Sequence, residues 1–415
     1  MLNWCNRFNI CLFLDNHNYN LSHHSVECLI AAGATHTLRC EAGNAFDSLR
    51  TFSDKHNDWI FGHFGYDLKN ETEQLSSANV DGIQFPDLFF FVPEIVIKLS
   101  ADSVLIGSRE SDAEQIWEDI NSTQTTRQDK GYTKAFVRQR YTRPEYVQAV
   151  QQIRQHILRG DCYELNFCQE FFWDDANADP LSIYTALSSS SPNPFSAFYK
   201  LDDLYLACLS PERYLKKEGS TILSQPIKGT AGRNLINTAS DKINAEVLQH
   251  SEKERAENIM IVDLVRNDLS KVCVQGSVHV EELCAVYSFP QVHHMISTIS
   301  GEVQQGLHWT EVIRATFPMG SMTGAPKKRV MELIEKYEKS KRGLFSGSIG
   351  YVTPERDFDF NVVIRSVLYN RGKRYLSFHA GSAITFNSDP ENEYEECLLK
   401  AAAIKKALAE TNTFH

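Results

Sequence analysis

Strand-like runs in this chain come in clusters instead of singly between helices, and that grouping restricts the fold more than any other feature. Ile10 to Leu14, Trp59 to Phe64 and Leu88 to Ile97 are separated only by short helical stretches. A second set follows at Cys162 to Phe172, Ala197 to Tyr199, Tyr205 to Ser210 and Thr221 to Ile227. Gly347 to Val352, Phe360 to Tyr369 and Arg374 to Ala380 form a third, ahead of a final helix from Glu391 to Glu410. A doubly wound parallel sheet needs a helix between successive strands, so an α+β fold is expected.

Tyr141 to Leu158 reads as an amphipathic helix, with Tyr146, Val150, Ile153 and Ile157 on one side and Gly160 as its C-cap. The polar stretch Gln115 to Lys134 before it suggests a boundary between an N-terminal region, 1–140, open to sharing the sheet system, and a second unit, 141–415. Further helices are expected from Lys242 to Leu269, unbroken, and from Pro326 to Lys339, with Pro326 as its first residue. With 415 residues, 42% of them hydrophobic, the chain can bury a large core unaided by disulfides. Its ten cysteines are scattered without a Cys-x-x-Cys pair and read as reduced thiols. The N-terminus carries neither a signal peptide nor an apolar span, so a cytoplasmic protein without a membrane segment is expected.

A formal net charge of −11, with no dense run of Lys and Arg, argues against nucleic acid as a partner. An anionic ligand must then be drawn in by local cations, helix termini or a metal. Glu254 and Glu257 lie three apart on a predicted helix, and Glu393 and Glu396 repeat that spacing on the last one. Four such carboxylates, if they face each other, call for a hard divalent cation, and an all-oxygen set suits Mg2+. Gly320 to Lys328 is a small-residue turn feeding a helix, and His379-Ala380-Gly381-Ser382-Ala383 reads as a second turn at a strand end; both offer free amides to anions. Lys228 is expected to emerge from a strand end beside Gly229.

Five segments in this order resemble the chorismate-utilising enzymes, a family that includes anthranilate, aminodeoxychorismate, isochorismate and salicylate synthases. They are Ser210-Pro211-Glu212-Arg213, Pro226-Ile227-Lys228-Gly229-Thr230, Ala256 to Asp268, Gly324-Ala325-Pro326-Lys327 and Ser388 to Glu396. The resemblance runs from about Tyr141 to the C-terminus, with a less sharp match at Gly65-Tyr66-Asp67-Leu68-Lys69. It implies stacked, largely antiparallel sheets with helices outside, and a chorismate-binding catalytic region at 141–415. Residue by residue it implies Mg2+ held by Glu257 and Glu393, with Glu254 and Glu396 in support. It implies Glu212 as the acid that helps the ring 4-hydroxyl leave, and an active-site His294. Substrate-holding roles fall to Thr323, Gly324, Phe345, Arg365, Gly381, Ser382 and Lys400.

Lys228 separates the branches. The anthranilate-forming branch resembles this segment but carries alanine there, whereas the aminodeoxychorismate-forming branch has a lysine proposed to attack ring C2. The resemblance therefore implies amination of chorismate at C4, in the route to p-aminobenzoate and folate. No Gly-x-Cys-x-Gly elbow surrounds any cysteine, so ammonia is expected from a separate glutamine amidotransferase subunit. Three positions depart from the family pattern: Glu164 where glutamine is common near the ring, Phe345 for a frequent tyrosine, and Ala383 for a usual glycine. The alternatives are anthranilate synthase component I and a catalytically silent chorismate-binding regulator.

Overall fold

The computed structural model describes residues 1–19, 27–123, 137–289 and 292–411. Residues 124–134, more than half of the polar stretch Gln115 to Lys134 expected to hold a boundary, lie outside them.

Two antiparallel sheets are stacked, one of 11 strands and one of 10 among the described residues. The first sheet runs Gly324–Ala325, Glu164–Trp173, Tyr375–Ile384, Ser366–Asn370, Leu204–Ser210, Phe195–Leu201, Ile10–Asp15, Cys28–Ala32, Ile95–Ser100 and Ser103–Ser108. The second runs Ile227–Gly232, Val292–Glu302, Thr221–Gln225, Arg213–Glu218, Phe358–Asn361, Ser348–Val352, Ile60–Phe64, Leu88–Val92 and His36–Cys40. Strands from the first 110 residues thus hydrogen-bond into the same sheets as later ones, as at Phe13 opposite Phe198 and Gly62 opposite Gly350.

Both faces of the middle of the first sheet are buried, which explains why strands such as Cys28–Ala32 and Leu204–Ser210 read as continuous apolar runs instead of alternating ones. Along Ile10–Asp15, Leu12 joins one core while Cys11 and Phe13 join another. The first core passes from Leu12, Tyr199 and Leu206 through Phe64, Phe90 and Phe360 to Trp309 on an outer helix. The second lies beneath the helices Arg143–Leu158 and Pro390–Thr411, where Tyr146, Val150, Cys397 and Ala401 cover Phe167 and Phe378. Thr142 and Glu145 close a capping box at the start of the former helix, 2.8 Å from Thr142 N to Glu145 Oε2.

Several expected boundaries shift, each for a local reason. The long helix breaks into Thr238–His250 and Glu252–Ser270, because Ser251 adopts extended backbone and caps the second with its hydroxyl. Pro326 is the N-cap of Lys327–Tyr337, not its first helical residue. The run Leu88 to Ile97 divides at Pro93 into strands of different sheets, proline being unable to donate to a ladder. Phe360 to Tyr369 likewise divides, and the chain crosses from the second sheet to the first through residues 362–365, where Arg365 takes a left-handed φ of 49°. His379 to Ala383 is no turn: it lies within Tyr375–Ile384, in register with Glu164–Trp173.

Candidate active site

Lys228 is not at a strand end but on a bulge inside the edge strand Ile227–Gly232. Ile227 pairs with Ile296 and Thr230 with His294, so one strand advances by an extra residue there, and Gly229 takes a φ of 88°. A bulge re-aims the side chain it carries. Lys228 reaches across to Glu164, first residue of a strand near the end of the other sheet, with Nζ donating to Oε1 at 2.7 Å. The pair is 10% and 1% exposed on its two sides. Burial alone would lower the lysine pKa, but Glu164, by charge and hydrogen bond, with Glu257 and Glu212 behind it, outweighs that and holds the ammonium above the ordinary lysine range.

The glycine turn docks against the same strand. Tyr163 N donates to Ala325 O at 2.8 Å and Asn166 N to Thr323 O at 2.9 Å. Gly324 has a φ of 133°, and a Cβ there would stand 2.1 Å from Glu164 O, so only glycine allows this approach. Arg342, buried and paired with Glu338 at 2.7 Å, fastens both sides by donating to Met322 O and Asn166 O. Lys327 and Asp268, from two of the resembling segments, form a buried ion pair behind the turn. Thr323 is fully buried, its hydroxyl donating to Met319 O at 3.2 Å.

Glu212 sits in the link between Leu204–Ser210 and Arg213–Glu218. Burial raises its carboxyl to about 7, despite the opposing pull of the Ser321 hydroxyl, Lys228 and Arg365. Arg365 is buried enough to fall to about 10, with Glu212 countering. Its Nη2 lies 3.1 Å from His294 Nε2, and Thr230 Oγ1 lies 2.9 Å from His294 Nδ1. Burial and Arg365 both hold His294 well below the ordinary histidine range.

The expected carboxylates come from two helices. Burial raises Glu257 to about 7, with Lys228 opposing and Glu164 and Glu254 adding to the rise, and its Oε1 is buried without a hydrogen-bond partner among the described residues. Glu254 is raised by burial, and a Cβ on Gly229 would lie 3.0 Å from its Oε2. Ser382 donates to Glu393, while Lys400 pairs with Glu396 at 2.8 Å and donates to Gly381 O at 3.0 Å. Lys253 stands among all four: burial works against its charge, but Glu257, Glu393, Glu396 and Glu254 together raise its pKa. Among the described residues no three His, Cys, Asp or Glu side chains are drawn into a metal-holding cluster. Phe345 is buried and stacks on His379 at 4.7 Å.

Sequence reasoning missed Lys253, Thr230 and Arg342. Only Lys253 left a signal, its spacing of four from Glu257, which it approaches to 4.0 Å.

A model of the chorismate binding enzyme family matches residues 11–406. The chain belongs to that family. It is 38% identical over 347 residues to aminodeoxychorismate synthase component 1 of Salmonella typhimurium, covering 83% of this chain and 75% of the relative. Against the Bacillus subtilis protein of the same name it is 33% identical over 361 residues, covering 84% and 76%. Among solved structures of this chorismate-binding fold, anthranilate synthase component I from Streptococcus pneumoniae superimposes with a TM-score of 0.81 at 24% identity, covering 94% of this chain and 95% of that one.

Proposed function

We propose that this chain is aminodeoxychorismate synthase component I, aminating chorismate at C4 with ammonia from a separate glutamine amidotransferase subunit in the cytoplasm. The observation that carries the reading is Lys228, buried on a bulge and aimed between the two sheets, where the anthranilate-forming branch has alanine. The names of its relatives point the same way.

Glu257, Glu393, Glu254 and Glu396 would hold Mg2+. The fit rests on an all-oxygen donor set, the buried Oε1 of Glu257, which accepts no hydrogen bond among the described residues, and the presence of a cation, Lys253, among the four. That ion would neutralise these carboxylates and supply the positive charge for a carboxylate of the substrate. Arg365, oriented by His294, pairs with the substrate's other negative charge, and the Thr323-Gly324 turn positions the ring. Glu212, protonated below about 7, gives its proton to the departing 4-hydroxyl as Lys228 forms a bond to ring C2. Ammonia then bonds to C4 and Lys228 leaves, giving 4-amino-4-deoxychorismate.

The test incubates the protein with chorismate, Mg2+ and ammonium salt, with and without an aminodeoxychorismate lyase. p-Aminobenzoate that appears only with the lyase supports the reading. Fluorescent anthranilate formed directly would assign anthranilate synthase instead, and bound but unchanged chorismate would assign a regulator.

A further inference from the structure

Burial of a lysine that must attack as a free amine leaves a question about its proton. Glu212 has to be protonated to expel the hydroxyl, and Glu254, Glu257 and Glu396 are assigned above to the cation. Among the described residues, the groups facing the Lys228 ammonium are these four carboxylates and Glu164, and its side-chain hydrogen bond goes to Glu164 alone, at 2.7 Å. The other oxygen of Glu164, Oε2, is buried with no hydrogen-bond partner among the described residues.

We infer, on the functional reading above, that Glu164 is a further catalytic residue: the internal base that takes the proton of Lys228 when chorismate binds and returns it at the end of the cycle. An ionised carboxylate with one oxygen unsatisfied is held at a cost, which the neighbouring ammonium offsets. A substrate bringing two negative charges beside Glu164 and excluding water raises that cost. Proton transfer along the existing hydrogen bond turns the ion pair into neutral acid and amine. The amine then attacks C2, the ring double bonds shift, and the C4–O bond breaks with the proton of Glu212, releasing water. When ammonia bonds to C4, the C2–N bond breaks and its electron pair stays on Lys228. Glu164 gives the lysine back its proton, and the new C4 ammonium reprotonates Glu212. Glutamine, common at this position by the resemblance, could hold the amine but could not take its proton.

The test compares wild type, Glu164→Gln and Glu164→Asp for aminodeoxychorismate formation from ammonium across pH 6 to 10, with melting temperatures as a fold control. The expected result for Glu164→Gln is a kcat at least about 30-fold below wild type at pH 7, with the ratio of variant to wild type at matched free ammonia climbing about tenfold per pH unit, as Lys228 must lose its proton to solvent. Glu164→Asp keeps a base and is expected to retain the wild-type profile at reduced rate. Wild-type kcat and profile in a folded Glu164→Gln overturn the assignment while leaving the functional reading intact. A wild type that makes no aminodeoxychorismate overturns both.

Discussion

The Arg365 guanidinium donates through Nη2 to Nε2 of His294 at 3.1 Å. Arginine only donates, so this one bond fixes His294 as neutral with its proton on Nδ1, from which it donates to Thr230 Oγ1 at 2.9 Å. The histidine thus orients the cation without competing with it for an anion. Arg365→Lys, which keeps the charge but loses the planar fork, is expected to raise KM for chorismate about 10- to 100-fold, the worth of a charge-assisted hydrogen bond. Steady-state kinetics check this, with an unchanged melting temperature showing that the fold survives.

Glu212 makes a pH prediction. Its carboxyl, lifted to about 7 by burial, acts in the protonated form, so kcat/KM is expected to fall as pH rises through about 7. Glu212→Gln should remove that alkaline limb and lower kcat by about 100- to 10,000-fold. A limb that persists unchanged in the variant would assign it to another group.

Chelation is expected to abolish activity, and added Mg2+ to restore it. Glu257→Gln should raise the Mg2+ concentration for half-maximal rate at least about tenfold. Titrating both activity and melting temperature with Mg2+ separates weakened ion binding from damage to the site.

Lys327 and Asp268 bury an ion pair that joins the glycine turn to the helix carrying Glu257. Removing one partner of such a pair costs about 3–5 kcal/mol. Asp268 keeps Lys271 at 2.9 Å, so Lys327→Met is expected near the lower end, about 3 kcal/mol by urea unfolding. The double variant with Asp268→Leu should recover part of that loss.

Gly324→Ala is expected to depress kcat more than stability. The added methyl meets the carbonyl of Glu164 itself and strains a left-handed backbone, so relief must come from moving the strand that presents Glu164. Comparing the loss in kcat with the shift in urea midpoint tests the order of these effects.

Strand clustering in the sequence was enough to choose α+β, because adjacent strands of an antiparallel sheet need only turns between them. Sheet membership was not legible at Leu88 to Ile97 or Phe360 to Tyr369: each is one apolar run, yet each serves two layers, and hydrophobicity does not say which layer a residue enters. The Lys242 to Leu269 stretch hid its break because Ser251 is an ordinary polar residue until its backbone turns. At the site, local motifs named Lys228, Glu212 and the paired glutamates. The partnership of Lys228 with Glu164, 64 residues away, depends on a bulge and on two sheets meeting, and neither leaves a pattern in the chain.

The crossing between sheets has a mechanical consequence. Sheets stack about 10 Å apart and an extended residue spans at most about 3.6 Å, so residues 362–365 have room to cross from Asn361 to Ser366 and still take the left-handed turn at Arg365, whose guanidinium bonds back to His294 of the second sheet. Arg365 is the last of them, which makes its guanidinium a gauge of how the two layers are aligned. A slip of one layer along the other displaces the charge that faces Glu212 before it exposes any core. One residue inserted at this crossing should therefore silence the reaction in a protein that still melts cooperatively.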